Sequence, residues 1–313
     1  EQVHGYDESA GLTYSYHGYW PKDWTAVDAN FGSEADLKQM VASAHKHGIK
    51  VLMDVIINHT GPKTPSDWAW PADWIRTEPI CQWHNYQENT QCALATSLTD
   101  IKTESDDKVE LPPQLLKKWQ IEGRLAQEQL ELDNFFQRTL YPRAPKYYIV
   151  KWLTDWVREY GIDGFRVDTA KHVEAEIWAV LKKESELALQ TWKHDNPSKV
   201  SDDLPFYMVG EVFNWGLNGF KNTAKDGLSY DYGDKQVNFF DYGFDALINM
   251  GFVADAAQPA EQIFSSYSRA LTQELKGKGI LNYIGSHDDQ ASYDRERSQP
   301  FETAFKLMLA PGA

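Results

Sequence analysis

The chain has 313 residues, 42% hydrophobic and 25% charged, which is typical of one large globular domain or of a domain with an insertion. Its net charge of −15 argues against nucleic acid as a partner, because phosphates require a basic surface. No apolar run reaches the ~18 residues that a membrane helix needs, so we expect no membrane partner, and the oligomeric state stays open.

Helices and short apolar strands alternate along most of the chain. The predicted helices cover residues 33–47, 145–160, 174–193 and 261–276, and the predicted strands cover 50–58, 162–169, 206–212, 244–249 and 280–286. Ser33 and Pro145 are good first residues of helices, and Gly48 and Gly161 are good stops. Within residues 33–47, Leu37, Met40, Val41 and Ala44 are predicted to share the buried face. This alternation predicts a parallel α/β sheet, either doubly wound or closed into a barrel.

Residues 60–142 interrupt the alternation and are rich in Trp, Pro, Gln and Asn. We interpret this segment as an inserted subdomain between two parts of one catalytic domain, 1–59 and 143–313. The segment holds the only two cysteines, Cys81 and Cys92. Their close spacing suggests a disulfide and an oxidising compartment, but spacing alone leaves two unrelated thiols equally open.

The chain contains twelve tryptophans, and aromatic residues make up 13% of it. Aromatic rings stack on the flat C–H faces of sugars, but a large hydrophobic core also needs them. Composition alone does not decide between sugar stacking and a role in the hydrophobic core.

Polar residues recur where the predicted strands end. They are Asn58 and His59, then Arg166, Asp168, Lys171 and His172, then Glu211, and finally His287 and Asp288. In a barrel of alternating strands and helices, the strand ends converge on one mouth, where such enzymes keep their active sites. A single acid at a strand end is usually a helix cap or half of a salt bridge, but four successive clusters indicate a functional site.

These clusters resemble the four ordered signature regions of the α-amylase family of glycoside hydrolases. The matching segments are 54–59, 164–172, 210–211 and 287–288, with His17-Gly-Tyr19-Trp20 before them. The resemblance covers nearly the whole chain and implies a (β/α)8 TIM barrel with an inserted subdomain after the third barrel strand. Residues 98–105 and 161–173 are similar to the periplasmic enzymes of enteric bacteria, which implies a periplasmic or secreted location.

The resemblance assigns the chemistry to three carboxylates. Asp168 is the implied nucleophile, Glu211 the acid/base, and Asp288 the residue that grips sugar hydroxyls and favours a distorted ring. Retaining glycosidases need one ionised and one protonated carboxyl group. The implied reaction is endo-acting hydrolysis of α-1,4 bonds in starch-like glucans and maltodextrins, through a covalent glycosyl-enzyme intermediate.

The residue pattern agrees with this division of roles. Arg166 lies two positions before Asp168, so both side chains point to the same side of a strand. The guanidinium favours the ionised form of Asp168, as a nucleophile requires. Neighbouring ionised carboxylates raise the pKa of Glu211, as an acid requires.

Other residues are implied to contact the substrate or to support the site. The implied substrate-binding residues are Tyr19, His59, Arg166, Lys171, His172 and His287. Tyr19 resembles the family's stacking platform, and Lys171 and His172 resemble contacts to the leaving-group side of the glucan. Alternatives stay open: Tyr19 as a simple core residue, and Lys171 as a solvated charge. Asp54 lies inside an apolar strand, and we interpret it as a structural residue that holds Arg166 or the strand end.

The resemblance also implies a calcium site and a disulfide. Asn58 matches one calcium ligand of the family, and the carbonyl group of His172 matches another. The carboxylate position aligns with Lys102, which cannot bind a cation, so Asp100 is the candidate replacement. Calcium takes six to eight oxygen ligands, and this set leaves the calcium site open. Residues 81–92 are similar to a disulfide loop in fungal members of the family, which favours the Cys81–Cys92 bond.

Two rival functions stay open. A maltodextrin hydrolase or glucanotransferase uses the same covalent intermediate, and transfer products longer than the substrate would distinguish the transferase. A catalytically inactive homologue with a binding role is the second rival. Loss of Asp168 or Glu211 would mark such a homologue, and both residues are present.

The resemblance implies about five of the eight barrel strands, without the first, second and eighth. An open barrel exposes sheet edges and leaves its interior layers incomplete. We therefore predict that these 313 residues alone are poorly stable and weakly active. Thermal unfolding and starch hydrolysis by the purified chain check this prediction; cooperative unfolding together with near-normal hydrolysis would contradict it.

Overall fold

The computed structural model describes residues 1–3, 15–62, 67–96, 98–283 and 285–288, and the backbone of Tyr6–Asp7 and Gly11–Leu12. Its main sheet consists of five parallel strands: β1 (Leu52–Val55), β2 (Gly164–Val167), β3 (Tyr207–Gly210), β4 (Ala246–Asn249) and β5 (Gly279–Asn282). The strands lie in chain order, and each pairs with the next. A doubly wound sheet reverses its strand order at the middle, so this continuous order favours the barrel alternative.

Helices of the barrel type alternate with these strands. They are α1 (Glu34–Lys46), α2 (Pro145–Tyr160), α3 (Glu176–Asp195) and α4 (Ala260–Thr272). The predicted start and stop signals explain the ends of the first two. The Ser33 side chain accepts a hydrogen bond from the amide of Asp36 and closes a capping box at α1, and Pro145 is the first residue of α2.

The predicted face of α1 is wrong at one position. Val41 is buried, but Met40 is 49% exposed. Successive residues of a helix are about 100° apart, and Leu37, Val41 and Ala44 form one narrow stripe that leaves Met40 at its edge. The prediction had wrongly included Met40 in a broader buried face.

Several predicted bounds are also longer than the observed ones. Strand β1 has four residues, because its parallel pairing with β2 runs only from Leu52 to Val55. After β1 the chain turns away, and His59–Thr60 pairs antiparallel with Thr99–Ile101. Helix α3 starts two residues later than predicted, because Ala170–His172 forms a 3₁₀ turn before it. Strand β5 ends before the predicted residues 283–286, and α4 ends at Thr272.

The segment between β1 and α2 has its own small sheet and helices. Its strands are His59–Thr60, Ile75–Arg76 and Thr99–Ile101, and its helices are Gln87–Thr90, Pro113–Ile121 and Leu125–Thr139. Cys81 and Cys92 form the predicted disulfide, with their Cα atoms 4.9 Å apart. The boundaries at residues 59 and 142 remain predictions.

Tryptophans join this segment to the barrel. The ring of Trp74 stacks on that of Trp152 in α2, with centroids 6.1 Å apart and planes 7° from parallel. Eight of the twelve tryptophans are buried, and Trp83 is the most exposed at 49%. Most tryptophans therefore form the hydrophobic core, and Trp83 is the clear exception.

The remaining elements are short. They are the helix Phe252–Asp255, the 3₁₀ turns Pro197–Lys199 and Phe239–Tyr242, and two ribbons that pair Tyr6–Asp7 with Gly11–Leu12 and Tyr230–Asp231 with Gln236–Val237. Among the described residues, no helix combines the length and apolarity needed to cross a membrane. The expected end of the barrel at residues 309–313 lies outside the described residues.

Two glycines that end helices give a matched test of packing in this fold. Gly161 and Gly48 both have left-handed backbones, with φ of 74° and 72°. A Cβ atom at Gly161 would lie 2.4 Å from the ring of Trp192, whereas one at Gly48 would meet nothing within 4 Å. We predict that Gly48→Ala lowers the free energy of unfolding by ~1 kcal/mol and Gly161→Ala by ~3 kcal/mol or more. Chemical denaturation of both variants measures the difference, and equal losses would contradict the packing argument.

Candidate active site

The candidate site lies at the carboxyl ends of β1, β2 and β3. Parallel pairing places Asp54 directly beside Arg166, so their side chains share one face of the sheet. The ladder continues past the strand ends: the amide of Asp168 donates to Val55 O at 3.0 Å, and that of Glu211 donates to Val167 O at 2.9 Å. The sheet itself therefore brings these four side chains together.

The guanidinium of Arg166 is the centre of this group. Its nitrogens lie 2.6 Å from a carboxylate oxygen of Asp168, 3.1 Å from one of Asp54 and 3.3 Å from one of Glu211. The Arg166 side chain is 16% exposed, so solvent screens these contacts only weakly. One cation thus holds three carboxyl groups in a fixed arrangement.

A strained turn positions the Glu211 carboxyl group. Thr169 has a left-handed backbone, with φ of 49°. Its amide donates a 2.9 Å hydrogen bond to Oε2 of Glu211. Such a conformation is costly for a β-branched residue, and strain of this kind is concentrated at functional sites. The turn that follows Asp168 therefore also holds Glu211.

The environment of the site raises the pKa of both Glu211 and Asp168. Burial raises the pKa of Glu211 to about 7, and the charge of Asp168 adds to this rise. Burial also raises the pKa of Asp168, whereas Arg166 opposes the increase. Arg166 favours the ionised form of Asp168, as expected, but burial is the larger effect and raises the pKa of Asp168 overall. Because the two carboxyl groups share one guanidinium, the protonation of one affects that of the other.

Asp54 and Tyr19 support the arrangement from the β1 side. Asp54 accepts hydrogen bonds from Arg166 and from the Tyr19 hydroxyl, the latter at 2.7 Å. The Tyr19 ring is partly exposed and stacks on His287 with centroids 5.1 Å apart. His59 is buried beside the Tyr19 carbonyl oxygen at 3.0 Å, and burial lowers the pKa of His59 to about 4. His59 is thus neutral, and its Nδ1 lies 3.2 Å from the side-chain amide nitrogen of Asn58, so both ring nitrogens have partners in the protein.

Asp288 and His287 complete the site, where the ring of His287 stacks on that of Tyr19. Asp288 Oδ2 is 3.2 Å from His287 Nε2, and the two side chains are about half exposed. The Asp288 charge contributes to the raised pKa of Glu211.

Lys171 is buried, so the alternative of a solvated charge is wrong. Its Nζ donates a 3.1 Å hydrogen bond to the Tyr230 hydroxyl and lies 5.4 Å from the ring of Trp83 and 5.7 Å from that of Phe213. Burial lowers the pKa of Lys171 to about 8. His172 is buried beside it, with Nδ1 2.9 Å from the carbonyl oxygen of Asn89.

A cavity of about 800 Å³ connects these groups. The predicted site residues that line this cavity are Tyr19, His59, Asp168, Lys171, His172, Glu211, His287 and Asp288. Sequence reasoning missed Trp83, Phe213 and Tyr230, which line the same cavity. Phe213 could have been found from its place two residues after Glu211, whereas no pattern marks Trp83 or Tyr230.

A comparison with protein families bears on this geometry. The model described as the α-amylase catalytic domain matches residues 7–298. The chain belongs to the α-amylase family. Its fold is therefore a (β/α)8 barrel, of which β1 to β5 are five parallel strands.

Individual relatives of this α-amylase family chain are consistent with that result. Periplasmic α-amylase from Escherichia coli (strain K12) is 34% identical, over 100% of this chain and 49% of its own length. An α-amylase from Streptomyces lividans is 30% identical, over 91% of this chain and 31% of its own. The chain thus spans half or less of the length of these curated relatives. A solved Anoxybacillus α-amylase has a TM-score of 0.59 at 21% identity, covering 98% of this chain and 54% of that one, which supports the fold alone.

The predicted calcium ligands do not fit a calcium ion as a set. Asn58 Oδ1 is buried and accepts no hydrogen bond within the described part of the chain, which suits a ligand. Asp100, however, forms an ion pair with Arg76, whose Nε lies 2.8 Å from Oδ2 of Asp100. Lys102 Nζ donates to the carbonyl oxygen of Ala72 instead. The carboxylate that calcium requires is therefore engaged by an arginine.

One acidic group elsewhere has the spacing of a metal site. Ligand atoms of Glu131, Asp155 and Glu159 lie within 4.8 Å of one another, which makes them a possible metal-binding triad of the described residues. Lys151 and Arg158 already form ion pairs with Asp155 at 2.6 and 3.0 Å. These cations satisfy the acids without a metal ion.

The paired carboxyl groups give a direct test of the electrostatics. We predict that Glu211 titrates with a pKa of about 7 and that Asp168→Asn lowers this pKa, because the substitution removes a neighbouring negative charge. Infrared or ¹³C NMR titration of the carboxyl groups measures both values. Asp195→Asn, at an exposed position on α3, is the control and leaves the Glu211 pKa unchanged. An unchanged pKa in Asp168→Asn would contradict the proposed coupling.

Proposed function

We propose that this chain carries the catalytic site of a retaining, endo-acting hydrolase of α-1,4-glucosidic bonds in starch-like glucans and maltodextrins. The observation that carries the proposal is the pair of carboxyl groups, Asp168 and Glu211, that Arg166 holds together in a single cavity. A retaining glycosidase requires this combination of nucleophile and acid.

The reaction has two steps in this arrangement. The Asp168 carboxylate attacks the anomeric carbon while the glycosidic C–O bond breaks, and Glu211 donates its proton to the departing oxygen. Glu211 then removes a proton from water, the water oxygen attacks the anomeric carbon, and the bond to Asp168 breaks. Glu211 ends protonated and Asp168 ionised, as both began.

Neighbouring groups suit a glucan in the cavity. Half-exposed Asp288 offers carboxylate oxygens to sugar hydroxyls, and neutral His59 lines the same cavity. The rings of Trp83 and Phe213 lie 5.4 and 5.7 Å from Lys171 Nζ, where they provide stacking surfaces on the leaving-group side. A solved α-amylase from Geobacillus thermoleovorans, in complex with acarbose, shares the fold with a TM-score of 0.58.

The proposal includes the organisation and location of the chain. Residues 1–59 and 143–313 belong to the catalytic barrel, and residues 60–142 form the inserted subdomain, whose small sheet begins at His59. The protein acts in the periplasm or outside the cell. The disulfide and the periplasmic relative support that location.

Asp168→Asn tests the nucleophile. We expect the rate of maltodextrin hydrolysis to fall by at least about 10³-fold relative to the unsubstituted chain, because an amide cannot form the covalent intermediate. Glucan binding, measured by calorimetry, should remain, since the cavity keeps its shape.

Asp195→Asn again serves as the control, because Asp195 is exposed and far along α3 from the cavity. It should leave hydrolysis unchanged. Undiminished hydrolysis by Asp168→Asn would refute the nucleophile assignment.

A further inference from the structure

Arg76 is a partly buried cation in the inserted segment. Its side chain is 14% exposed. The guanidinium forms ion pairs with Asp100, at 2.8 Å, and with Glu104, and it donates a 3.3 Å hydrogen bond to the carbonyl oxygen of Gln91. It therefore gathers two carboxylates and one carbonyl oxygen from two separate stretches of the chain, at residue 91 and at residues 100–104.

The surroundings of Arg76 carry excess negative charge. The Asp100 side chain is 1% exposed, and Glu104 pairs with the same guanidinium. A buried group of acids needs a compensating cation, because desolvation of unpaired charge is costly. Arg76 supplies that charge at the position where the acids converge.

The atoms that Arg76 engages are the types that calcium takes as ligands, namely carboxylate and carbonyl oxygens. The guanidinium presents several donors in a fixed plane, so it can bind such oxygens from several directions. A guanidinium and a divalent ion cannot occupy the same oxygens together.

We propose that Arg76 occupies the Asp100 carboxylate that the predicted divalent cation would need, and that this ion pair fixes the inserted segment without a metal ion. This proposal concerns the chain's architecture and stands independently of the catalytic assignment.

The contacts of Arg76 lead directly to the candidate active site. Asp100 is the strand partner of His59, which lines the cavity. Thr103 donates a 2.6 Å hydrogen bond to Glu174, two residues after His172. Arg76 is thus a positioning residue, because it holds the segment from Asp100 to Glu104, and this segment borders the cavity.

The experiment compares the unsubstituted chain with Arg76→Gln and Arg76→Lys. After dialysis against a chelator, the unsubstituted chain should contain no stoichiometric calcium by elemental analysis, and added calcium should not change its thermal midpoint. We expect Arg76→Gln to lower the midpoint by roughly 5–15 °C, because buried acids lose their partner. Millimolar calcium should recover part of this loss, since Asp100 and Glu104 become free to bind it.

Arg76→Lys should lower the thermal midpoint by less than Arg76→Gln and should not respond to calcium. Lysine keeps the positive charge but not the planar set of hydrogen-bond donors. Arg138→Gln is the matched control: Arg138 also pairs with a buried acid, Glu184, at 2.6 Å, and its loss should not be rescued by calcium. Terbium luminescence provides a binding readout that does not depend on cooperative unfolding.

Three results would overturn the proposal. They are a tightly held calcium ion in the unsubstituted chain, an Arg76→Gln variant as stable as the unsubstituted chain, and a destabilised Arg76→Gln variant that calcium neither binds nor stabilises.

Discussion

The contact between Arg166 and three carboxyl groups is the constraint on which the candidate site depends. Without this cation, Asp54, Asp168 and Glu211 would repel one another in a partly buried space. With it, the three carboxyl groups lie around one positive charge, and burial together with the charge of Asp168 raises the pKa of Glu211 to about 7. The guanidinium thus fixes the positions of the groups, whereas burial is the larger influence on their protonation.

The sheet explains why this contact forms. Parallel strands in chain order place equivalent positions of β1, β2 and β3 side by side at one edge. Asp54 and Arg166 are direct neighbours in that ladder, and Asp168 follows on the same face. The inserted segment contacts this edge, since the carbonyl oxygen of Asn89 is 2.9 Å from His172 Nδ1 and the ring of Trp83 is 5.4 Å from Lys171 Nζ. Side chains that follow β1 and β2, such as those of Asn58 and His172, are buried.

Local signals were sufficient to predict much of this architecture. Helix α2 has the predicted bounds, because a proline can begin a helix and a left-handed glycine can end one. The grouping of Asp168 and Glu211 followed from strand ends and from the family resemblance. The disulfide needed that resemblance as well, since the spacing of Cys81 and Cys92 left two free thiols open.

Sequence patterns could not predict the long-range contacts. Trp83 borders the cavity through a loop whose path no periodicity describes, and its backbone is left-handed, with φ of 66°. The pairing of Arg76 with Asp100 depends on the register of two short strands, which a sequence pattern of two or three residues cannot specify. The pKa of Asp168 depends on the depth of burial, so the position of Arg166 in the sequence could not determine its direction.

The turn at Thr169 constrains how the site can change in evolution. Its amide holds Glu211, and the preceding residue is Asp168, so a single peptide segment serves both proposed reacting groups. A substitution that relaxes this backbone alters the two groups together. Variation in substrate preference therefore has its easiest route through the surrounding loops, where a ring such as that of Trp83 can be exchanged without disturbing either carboxyl group.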